Sequence, residues 1–479
     1  MPTDQGITVK KEEDFSEWYS QLVLKSGLID YSLVSGCYVL KPSAYSIWEK
    51  LQEAFNKKLK AKGIKNCYFP LLIPESLLKK EQKHIEGFQP EVAFVTQTGS
   101  TILDEKLAIR PTSETIIYDS YSRWIRSHRD LPLKLNQWCN IVRWEFKHPM
   151  PFLRSREFLW QEGHTAFATK QEAEKEVLEI LDEYQSIHEE LLAVPVIKGK
   201  KSEKEKFAGA EYTTSIETML PNGKAIQAAT SHYLGQNFSR AFNITFLDKN
   251  EKKQHVHQNS WGFATRSIGI MIMLHSDNKG LVIPPRVAEN KIVIIPIIFD
   301  KTKEPILKEA EKLSKELEEF NPVIDNRDDY SAGWKYSEWE LKGIPIRIEL
   351  GPKDLEKKQV ILVRRDTNEK KPVKLSNIKK EIQSELEAMQ KNLLARAQSF
   401  LKHSIQEVET EKEFLKAISN KKLALASWCN TESCEENIKD ISKGAKSINI
   451  PFEYQKNIKG NCIICKKPAT CRALFGKGY

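Results

Sequence analysis

Residues 138–164 concentrate side chains that could bind a nucleotide. Arg143 and Glu145 form an Arg-x-Glu pair, and a basic loop interrupted by two prolines follows before an aromatic segment that ends at His164. Converging arginines suit a polyphosphate, because their bidentate donors hold planar oxyanions in place. A neighbouring carboxylate can accept a hydrogen bond from an amine such as that of adenine. The two charges of a lone Arg-x-Glu pair can equally neutralise each other. A nucleotide site therefore requires further cations and carboxylates that face the pair.

The same stretch predicts two antiparallel strands joined by a loop. Residues 140–146 and 158–160 are largely apolar and aromatic, and the two prolines between them prevent a helix. Side chains two positions apart in a strand point to one face of the sheet. Arg143 and Glu145 are therefore expected to project together.

Two other segments place polar groups beside predicted elements. Thr112 and Glu114 follow a short predicted strand at 108–110. This pattern commonly caps a helix, and the alternative is a pocket in which Glu114 holds a small ammonium. Arg266 begins a predicted apolar helix, where its charge opposes the helix dipole by up to about 1 kcal/mol. An anion bound there would offset this cost, so Arg266 is a functional candidate.

The C-terminal region carries cysteines at metal-ligand spacing. Cys429 and Cys434 are followed, after a gap, by Cys462 and Cys465. Four thiolates without an open position suit structural tetrahedral zinc. Reduced cysteines without metal are the alternative, and Cys471 is a fifth candidate that keeps the ligand set open.

Length and composition indicate a multidomain globular protein. A chain of 479 residues is too long for one core and predicts roughly two to four domains. The net charge of +9 fits a nucleic-acid partner as well as an ordinary solubility charge. The polar N-terminus lacks the apolar run of a secretory signal, and no apolar run is long enough to span a membrane. We therefore expect a cytosolic protein without a disulfide scaffold.

Hydrophobic periodicity divides the chain near residues 284–290. Amphipathic helices are expected at residues 15–28, 42–62, 171–192 and 374–402. The charge run at 198–206 is expected to be a solvated loop, and His188 a packed histidine. Beyond the boundary, alternating strands and helices predict an α/β domain with a mostly parallel sheet. Its basic residues suit either a solvated face or a surface for single-stranded RNA.

Over essentially its whole length the sequence resembles class II aminoacyl-tRNA synthetases, and among them prolyl-tRNA synthetases of the archaeal and eukaryotic type. The matching segments are YFPLLIPESLL, AIRPTSET, IVRWEFKHPMPFLRSREFLWQEGH, KFAGAEYTTSIE, AIQAATSHYLGQNFS, NSWGFATRSIGIMIMLHSDNKGLVIPPRVA, GWKYSEWELKGIPIRIELG and the cysteine tail. The resemblance implies an α/β multidomain protein. Its expected parts are an antiparallel-sheet catalytic core at 1–285, an α/β anticodon-binding domain at 286–395 and a small zinc-binding domain at 396–479.

The resemblance also implies a two-step reaction. Proline and ATP first form prolyl-adenylate with Mg²⁺ present, and the prolyl group then passes to the 3′ end of tRNA(Pro). Such a reaction needs no protein nucleophile, because positioning and electrostatics supply the rate. A cytoplasmic homodimer is implied, with Pro70 at the interface, together with structural Zn²⁺ on Cys429, Cys434, Cys462 and Cys465.

The family's site residues carry over onto matching positions of this sequence. The proline pocket is expected to contain Thr112, Glu114, Arg143, Trp160, Glu162, Phe207 and His232. ATP is expected to contact Arg143, Glu145, Arg154, Ser155, Gln227, Thr230 and Arg266, with Arg143 and Arg266 as the catalytic pair. The anticodon-binding residues would be Glu340, Arg347 and Lys353, and the C-terminal Tyr479 would lie near the active site.

Two departures and two rivals accompany this interpretation. Ala264 stands where relatives often have Ser or Thr, which removes an expected hydroxyl contact near ATP or proline, and the fifth cysteine, Cys471, leaves the zinc set open. The segment between Glu162 and Trp261 predicts a helix and core strands, so no editing domain is expected. The alternative is a non-catalytic tRNA-binding paralogue. Loss of Arg143, Glu145 or Arg266 would mark such a protein, and all three are present. A threonyl-type enzyme would need zinc ligands within the catalytic core.

Overall fold

The computed structural model describes residues 6–82, 91–145, 147–456 and 458–479. Its α-helices are α1 (Phe15–Lys25), α2 (Pro42–Ala61), α3 (Glu75–Gln82), α4 (Glu114–Trp124), α5 (Lys170–Ser186), α6 (Asn237–Ala241), α7 (Arg266–His275), α8 (Lys303–Glu316), α9 (Ala332–Lys342), α10 (Pro352–Glu356), α11 (Ile378–Ser404), α12 (Glu411–Ser419) and α13 (Glu432–Ile441). Short 3-10 turns lie at His128–Asp130, Asp300–Thr302, Glu318–Phe320, Leu375–Asn377 and Phe452–Tyr454, and a π-helical turn at Ile187–Leu191 extends α5.

The strands of the first half are β1 (Ile29–Tyr31), β2 (Tyr38–Leu40), β3 (Lys65–Asn66), β4 (Leu72–Pro74), β5 (Phe94–Thr98), β6 (Thr101–Ile109), β7 (Leu133–Val142), β8 (Glu157–Phe167), β9 (Ile197–Lys200), β10 (Tyr212–Met219), β11 (Ala225–Gly235), β12 (Thr245–Leu247), β13 (Lys253–His255) and β14 (His257–Ala264). Those of the second half are β15 (Ile292–Pro296), β16 (Val323–Ile324), β17 (Ile346–Leu350), β18 (Gln359–Arg364), β19 (Lys370–Lys374), β20 (Ile405–Val408), β21 (Leu423–Trp428), β22 (Lys446–Pro451) and β23 (Cys471–Gly476).

An eleven-stranded sheet forms the framework, in the order β20-β21-β23-β22-β9-β10-β11-β14-β8-β7-β3. Its centre is antiparallel, and the expected strand pair is confirmed, since β7 pairs with β8 from Leu133↔Ala166 to Val142↔Glu157. Helix α5, which begins with a Thr169/Glu172 capping box, packs its apolar stripe across β8, β14, β11 and β10. One face of these strands is thereby covered, and the other is left to line a cavity.

Close packing on the covered face requires glycine at position 163. A Cβ added to Gly163 would lie 2.1 Å from the Trp261 ring, which faces it from β14. The same layer contains Phe55 of α2, whose ring stacks on Tyr184 of α5 at 5.2 Å. This aromatic layer fixes β8 against the helices and therefore fixes the side chains on its other face.

Strand β7 ends one residue before Arg143, so the expectation that Arg143 and Glu145 project together from a strand is wrong. Residues 143–145 have no regular structure, and Phe146 lies outside the described residues. Val142 N donates to Arg110 O at 3.1 Å, and Trp144 N donates to Glu91 O at 3.4 Å. Regular pairing with β8 therefore ends at Val142, although Arg143 N still donates to Arg156 O at 2.7 Å.

A second sheet follows residue 291, with the order β16-β15-β17-β18-β19. Strand β15 is parallel to both β16 and β17, whereas β17–β18 and β18–β19 are antiparallel. The sheet is therefore mixed rather than mostly parallel. The connections after β17 are too short for parallel crossovers, which need a dozen or more residues.

The charge run at 198–206 is not a solvated loop throughout. Lys198–Lys200 belong to β9, and Lys201 is buried in an ion pair with Glu217 at 2.6 Å. Lys201 Nζ also donates to Ile448 O at 2.7 Å. These contacts exist because β22 pairs with both β23 and β9, which joins the C-terminal strands to the central sheet.

Two further contacts fix distant parts of the chain. Arg365 binds both carboxylate oxygens of Asp277, at 2.8 and 2.6 Å, and so links the second sheet to the segment after α7. Tyr479 N donates to Ala225 O at 2.9 Å, which places the C-terminal residue beside the start of β11. None of the helices in the described ranges combines the length and the apolar composition that crossing a membrane requires.

Candidate active site

A cavity of about 300 Å³ lies on the open face of β8, β11 and β14. Every residue expected to contact proline lines it, and so do four of those expected to contact ATP. These are Thr112, Glu114, Arg143, Trp160, Glu162, Phe207 and His232 for proline, and Arg143, Gln227, Thr230 and Arg266 for ATP. Ala264 lines the same space. Residues from five separate segments of the sequence therefore meet at one place.

Thr112 and Glu114 face the cavity rather than capping α4. Both side chains are buried, and Thr112 Oγ1 donates to Glu114 Oε2. Ser113 occupies the N-cap position without a side-chain cap and instead donates to Glu162 Oε1 at 2.5 Å. The strand before them is fixed by Arg110, whose Nη1 donates to Phe69 O at 2.8 Å. The pocket alternative is thus the one that the geometry favours.

Glu162 and His164 form a buried ion pair on the cavity wall. His164 Nε2 lies 3.1 Å from Glu162 Oε2, and His164 Nδ1 lies 3.1 Å from the Tyr118 hydroxyl. Burial favours the neutral form of each group, but their mutual hydrogen bond prevails. It lowers the pKa of Glu162 and raises that of His164. Gln137 Nε2 also donates to Glu162 at 2.8 Å, so this carboxylate is held ionised and fully bonded.

His232 and Phe207 form a neutral part of the same wall. Their rings lie 4.7 Å apart. Thr213 Oγ1 accepts from Phe207 N at 2.9 Å and lies at hydrogen-bond distance from His232 Nδ1, also at 2.9 Å. Burial lowers the pKa of His232 to about 3. The imidazole is therefore neutral at physiological pH.

Arg143 and Arg266 line the cavity, and Arg154 lies close enough for its charge to act on Arg266. Burial, together with the nearby charges of Arg143 and Arg154, lowers the pKa of Arg266 to about 10. Arg266 is held by Leu153 O at 3.2 Å, and Arg143 Nε donates to Pro111 O at 3.0 Å. Like charges that the fold keeps together form a site for an anion, because a bound anion removes their repulsion.

Three of the residues expected to contact ATP do not line the cavity. Glu145 is exposed. Burial lowers the pKa of Arg143, and the negative charge of Glu145 acts in the opposite direction. Arg154 is exposed with its guanidinium 5.8 Å from the Tyr479 ring, and Ser155 is buried beside it. All three belong to the segment between β7 and β8.

Several cavity residues were not predicted from the sequence. His164 lies two positions from Glu162 on β8, and Ser260 and Gly262 alternate with the core residues of β14, so strand periodicity could have indicated them. Glu205 gave no such signal, because it lies in a charge run.

The expected anticodon residues do not form a single cluster. Arg347 is buried and binds Glu340 and Glu349, each at 3.0 Å, beneath the ring of Tyr336 at 4.2 Å. Lys353 is exposed on α10, after the end of β17. Arg347 is therefore largely neutralised, and Lys353 is the exposed cation of the set.

The four expected metal ligands come together. The Sγ atoms of Cys429, Cys434, Cys462 and Cys465 all lie within 4.8 Å of one another. A tetrahedral zinc ion with sulfur ligands at about 2.3 Å separates them by roughly 3.8 Å, so this donor set fits zinc closely. Cys471 is buried outside the group, with its Sγ 3.7 Å from Trp428 O.

Models of known families match three parts of the chain. The class II tRNA synthetase core domain (G, H, P, S and T) matches residues 97–275. An anticodon binding domain matches residues 291–385, and a prolyl-tRNA synthetase C-terminal model matches residues 411–479. The cavity therefore lies in the class II core, and the four clustered cysteines lie in the C-terminal match.

Full-length relatives agree with these matches. The cytoplasmic proline--tRNA ligase of Arabidopsis thaliana is 50% identical over 486 residues, which cover 100% of this chain and 92% of that protein. The proline--tRNA ligase of Encephalitozoon cuniculi is 47% identical and covers 99% of each chain. That of Natranaerobius thermophilus is 48% identical over 95% of this chain and 94% of its own. The chain therefore belongs to the proline--tRNA ligases, class II aminoacyl-tRNA synthetases.

Proposed function

We propose that the cavity on β8, β11 and β14 activates proline as prolyl-adenylate and then transfers it to tRNA(Pro). The observation that carries this proposal is the meeting of the expected proline residues with the arginine group in one cavity. Membership of the proline--tRNA ligases supplies the overall reaction, and the geometry supports a role for each residue.

Proline is proposed to bind at the Thr112 end of the cavity. Glu114 accepts a hydrogen bond from the secondary ammonium of proline. Thr112 donates to only one of the two Glu114 carboxylate oxygens, which leaves the other for this bond. Trp160, Phe207 and neutral His232 surround the pyrrolidine ring, where an uncharged imidazole is compatible with an apolar ligand. The Glu162 carboxylate is already bonded and shapes this wall. Arg143 binds the proline carboxylate and directs it toward ATP.

ATP is proposed to bind across Arg143, Arg266, Gln227 and Thr230. Arg143 holds the α-phosphate and Arg266 the γ-phosphate or the adenine face, while Glu145 accepts from the adenine amine. Arg154 and Ser155 contact ATP from the loop before β8. Mg²⁺, when bound, neutralises charge that spreads over the phosphates as the carboxylate attacks. The arginines need no reorganisation for this step, because the fold already holds them together.

The remaining parts of the chain are proposed to handle tRNA and to stabilise the fold. We assign residues 1–285 to catalysis, 286–395 to the anticodon through Glu340, Arg347 and Lys353, and 396–479 to a zinc-binding module. Cys429, Cys434, Cys462 and Cys465 would hold structural Zn²⁺, which adds folding free energy but no chemistry.

We also propose a cytoplasmic homodimer. Pro70 is exposed between Tyr68 and Leu72, whose side chains are 69% and 38% exposed, and Ile102 of the neighbouring hairpin is 77% exposed. Large exposed apolar side chains such as these are typical of a protein interface.

Binding of a stable sulfamoyl analogue of prolyl-adenylate tests the site assignment. Calorimetry should show tight binding to the wild-type chain and at least about tenfold weaker binding to Glu114→Gln and to Arg266→Ala, since each loses a charge-assisted bond. Arg129→Ala, which removes an exposed arginine outside the cavity, should bind as the wild type does. Equal affinity in all four proteins would contradict the assignment.

A further inference from the structure

Glu205 is a cavity-wall carboxylate held from the C-terminal part of the chain. It lines the cavity together with Phe207 and His232. Its Oε2 atom accepts a hydrogen bond from Lys446 Nζ at 2.5 Å, across 241 residues of sequence. Lys446 is the first residue of β22, so this contact ties the cavity wall to the C-terminal strands.

The C-terminal backbone leaves room for the Lys446 side chain. A Cβ added to Gly478 would lie 2.8 Å from Lys446 Cε. Gly478 forms a parallel bridge with Ala225, and Tyr479 N donates to Ala225 O, so this backbone is fixed against β11. Lys446 thus crosses the tail at a residue without a side chain and reaches Glu205 from there.

Other ion pairs anchor the charge run at 198–206, to which Glu205 belongs, but they lie outside the cavity. Lys201 binds Glu217 at 2.6 Å, and Lys204 binds Glu436 of α13 at 3.1 Å. Neither lysine lines the cavity. Among the ion pairs that the described residues of this segment form with other elements, the Lys446–Glu205 pair is the one that places a carboxylate on the cavity wall.

We propose that Lys446 is a positioning residue for proline binding, acting through Glu205. This inference rests on the assignment of the cavity to proline activation. Glu205 precedes Phe207 by two residues, and the Phe207 ring packs on His232 in the proposed pyrrolidine pocket. Lys446 fixes the Glu205 side chain on this wall, and the backbone that leads to the Phe207 ring is thereby held in place. Without Lys446, the Glu205 carboxylate turns toward solvent, and the part of the cavity wall next to Phe207 loses a contact that holds it in place.

Proline-dependent ATP–pyrophosphate exchange by the full-length chain tests this role. Lys446→Met and Glu205→Gln should each raise the KM for proline about two- to fivefold, the range expected for a partly exposed ion pair. The kcat and the KM for ATP should not change, because the reacting phosphates and the arginines are untouched. The double variant should match the single variants, since the two residues act as one unit. Lys446→Arg should restore most of the affinity for proline.

Lys439→Met is the matched control, because it removes an exposed lysine from α13 of the same module. Its KM for proline should equal that of the wild type. An unchanged KM for proline in Lys446→Met, additive effects in the double variant or an equal rise in the KM for ATP would overturn the proposal. Failure of the wild-type chain to support exchange with proline would instead overturn the function proposed for the cavity.

Discussion

The His164 imidazole lies 3.1 Å from the Glu162 carboxylate, and both side chains are buried at the wall of the proposed proline pocket. Strand alternation on β8 places them on one face, two positions apart. Each group raises the stability of the charged form of the other. The pair therefore gives the pocket a polar wall without leaving a free charge, while Glu114 remains available to a ligand's ammonium.

This pairing predicts a pH-dependent stability difference between the wild type and His164→Gln. The raised pKa of His164 means that its contribution is complete below its ordinary value of 6.5 and is lost as the pH rises through the raised value. The lowered pKa of Glu162 means that its contribution is complete above 4.5 and is lost as the pH falls through the lowered value. Urea denaturation should show the largest difference in the free energy of unfolding, about 1–3 kcal/mol, between the two ordinary pKa values, where both contributions are complete. The difference should be smaller at alkaline pH. A difference that grows from neutral to alkaline pH would exclude the ion pair.

Arg143→Ala should abolish adenylate formation. The Arg143 guanidinium is proposed to bind both the proline carboxylate and the α-phosphate. Its loss should therefore lower the rate of pyrophosphate exchange at least about a hundredfold. Arg129→Ala controls for the loss of one arginine at an exposed position. A rate for Arg143→Ala within a factor of two of the wild type would remove Arg143 from the reaction.

Gly163→Ala should destabilise the catalytic core. The new methyl group would overlap the Trp261 ring in the aromatic layer behind β8, which costs about 1–3 kcal/mol or more. Gly333→Ala is a matched control in helix α9, where an added Cβ would meet nothing within 4 Å. Thermal unfolding should show a lower Tm for Gly163→Ala and an equal or higher Tm for Gly333→Ala. Equal Tm values for wild type and Gly163→Ala would show that β8 does not pack as described.

The cysteine cluster predicts one zinc ion per chain. Metal analysis after dialysis should find it in the wild type and in Cys471→Ser, because Cys471 lies outside the cluster. Cys462→Ser should lose the metal and unfold at a lower temperature, since binding free energy of a structural metal is folding free energy. Retention of zinc in Cys462→Ser but not in Cys471→Ser would reassign the ligands.

Lys353→Ala should separate tRNA charging from proline activation. The side chain is exposed on α10, far along the sequence from the cavity segments, so exchange without tRNA should be unchanged. Aminoacylation should weaken, mainly through the KM for tRNA, because a phosphate or base contact is lost. Lys315→Ala, at an exposed position of α8, is the control. Equal loss of both activities would argue against an anticodon role for Lys353.

The sequence was sufficient for the strand pair, the helices and most of the cavity, because each depends on local periodicity or on a long matching segment. It failed for Arg143 and Glu145, because local periodicity does not show that β7 ends at Val142 or that Val142 and Trp144 bond to Arg110 and Glu91, which are distant in sequence. It failed again for the charge run at 198–206. Lys201 and Glu205 find their partners on β10 and β22, and charge alone does not distinguish a solvated lysine from one paired across the fold.

We propose that this chain activates proline without help from tRNA. Amino-acid-dependent ATP–pyrophosphate exchange, measured with Mg²⁺ for each of the twenty standard amino acids, tests it most directly. We expect strong exchange with proline and weaker exchange with alanine or cysteine, because a few methylenes distinguish them by only about 1–3 kcal/mol. No exchange with any amino acid would contradict the account and favour a tRNA-binding protein that keeps the fold without the reaction.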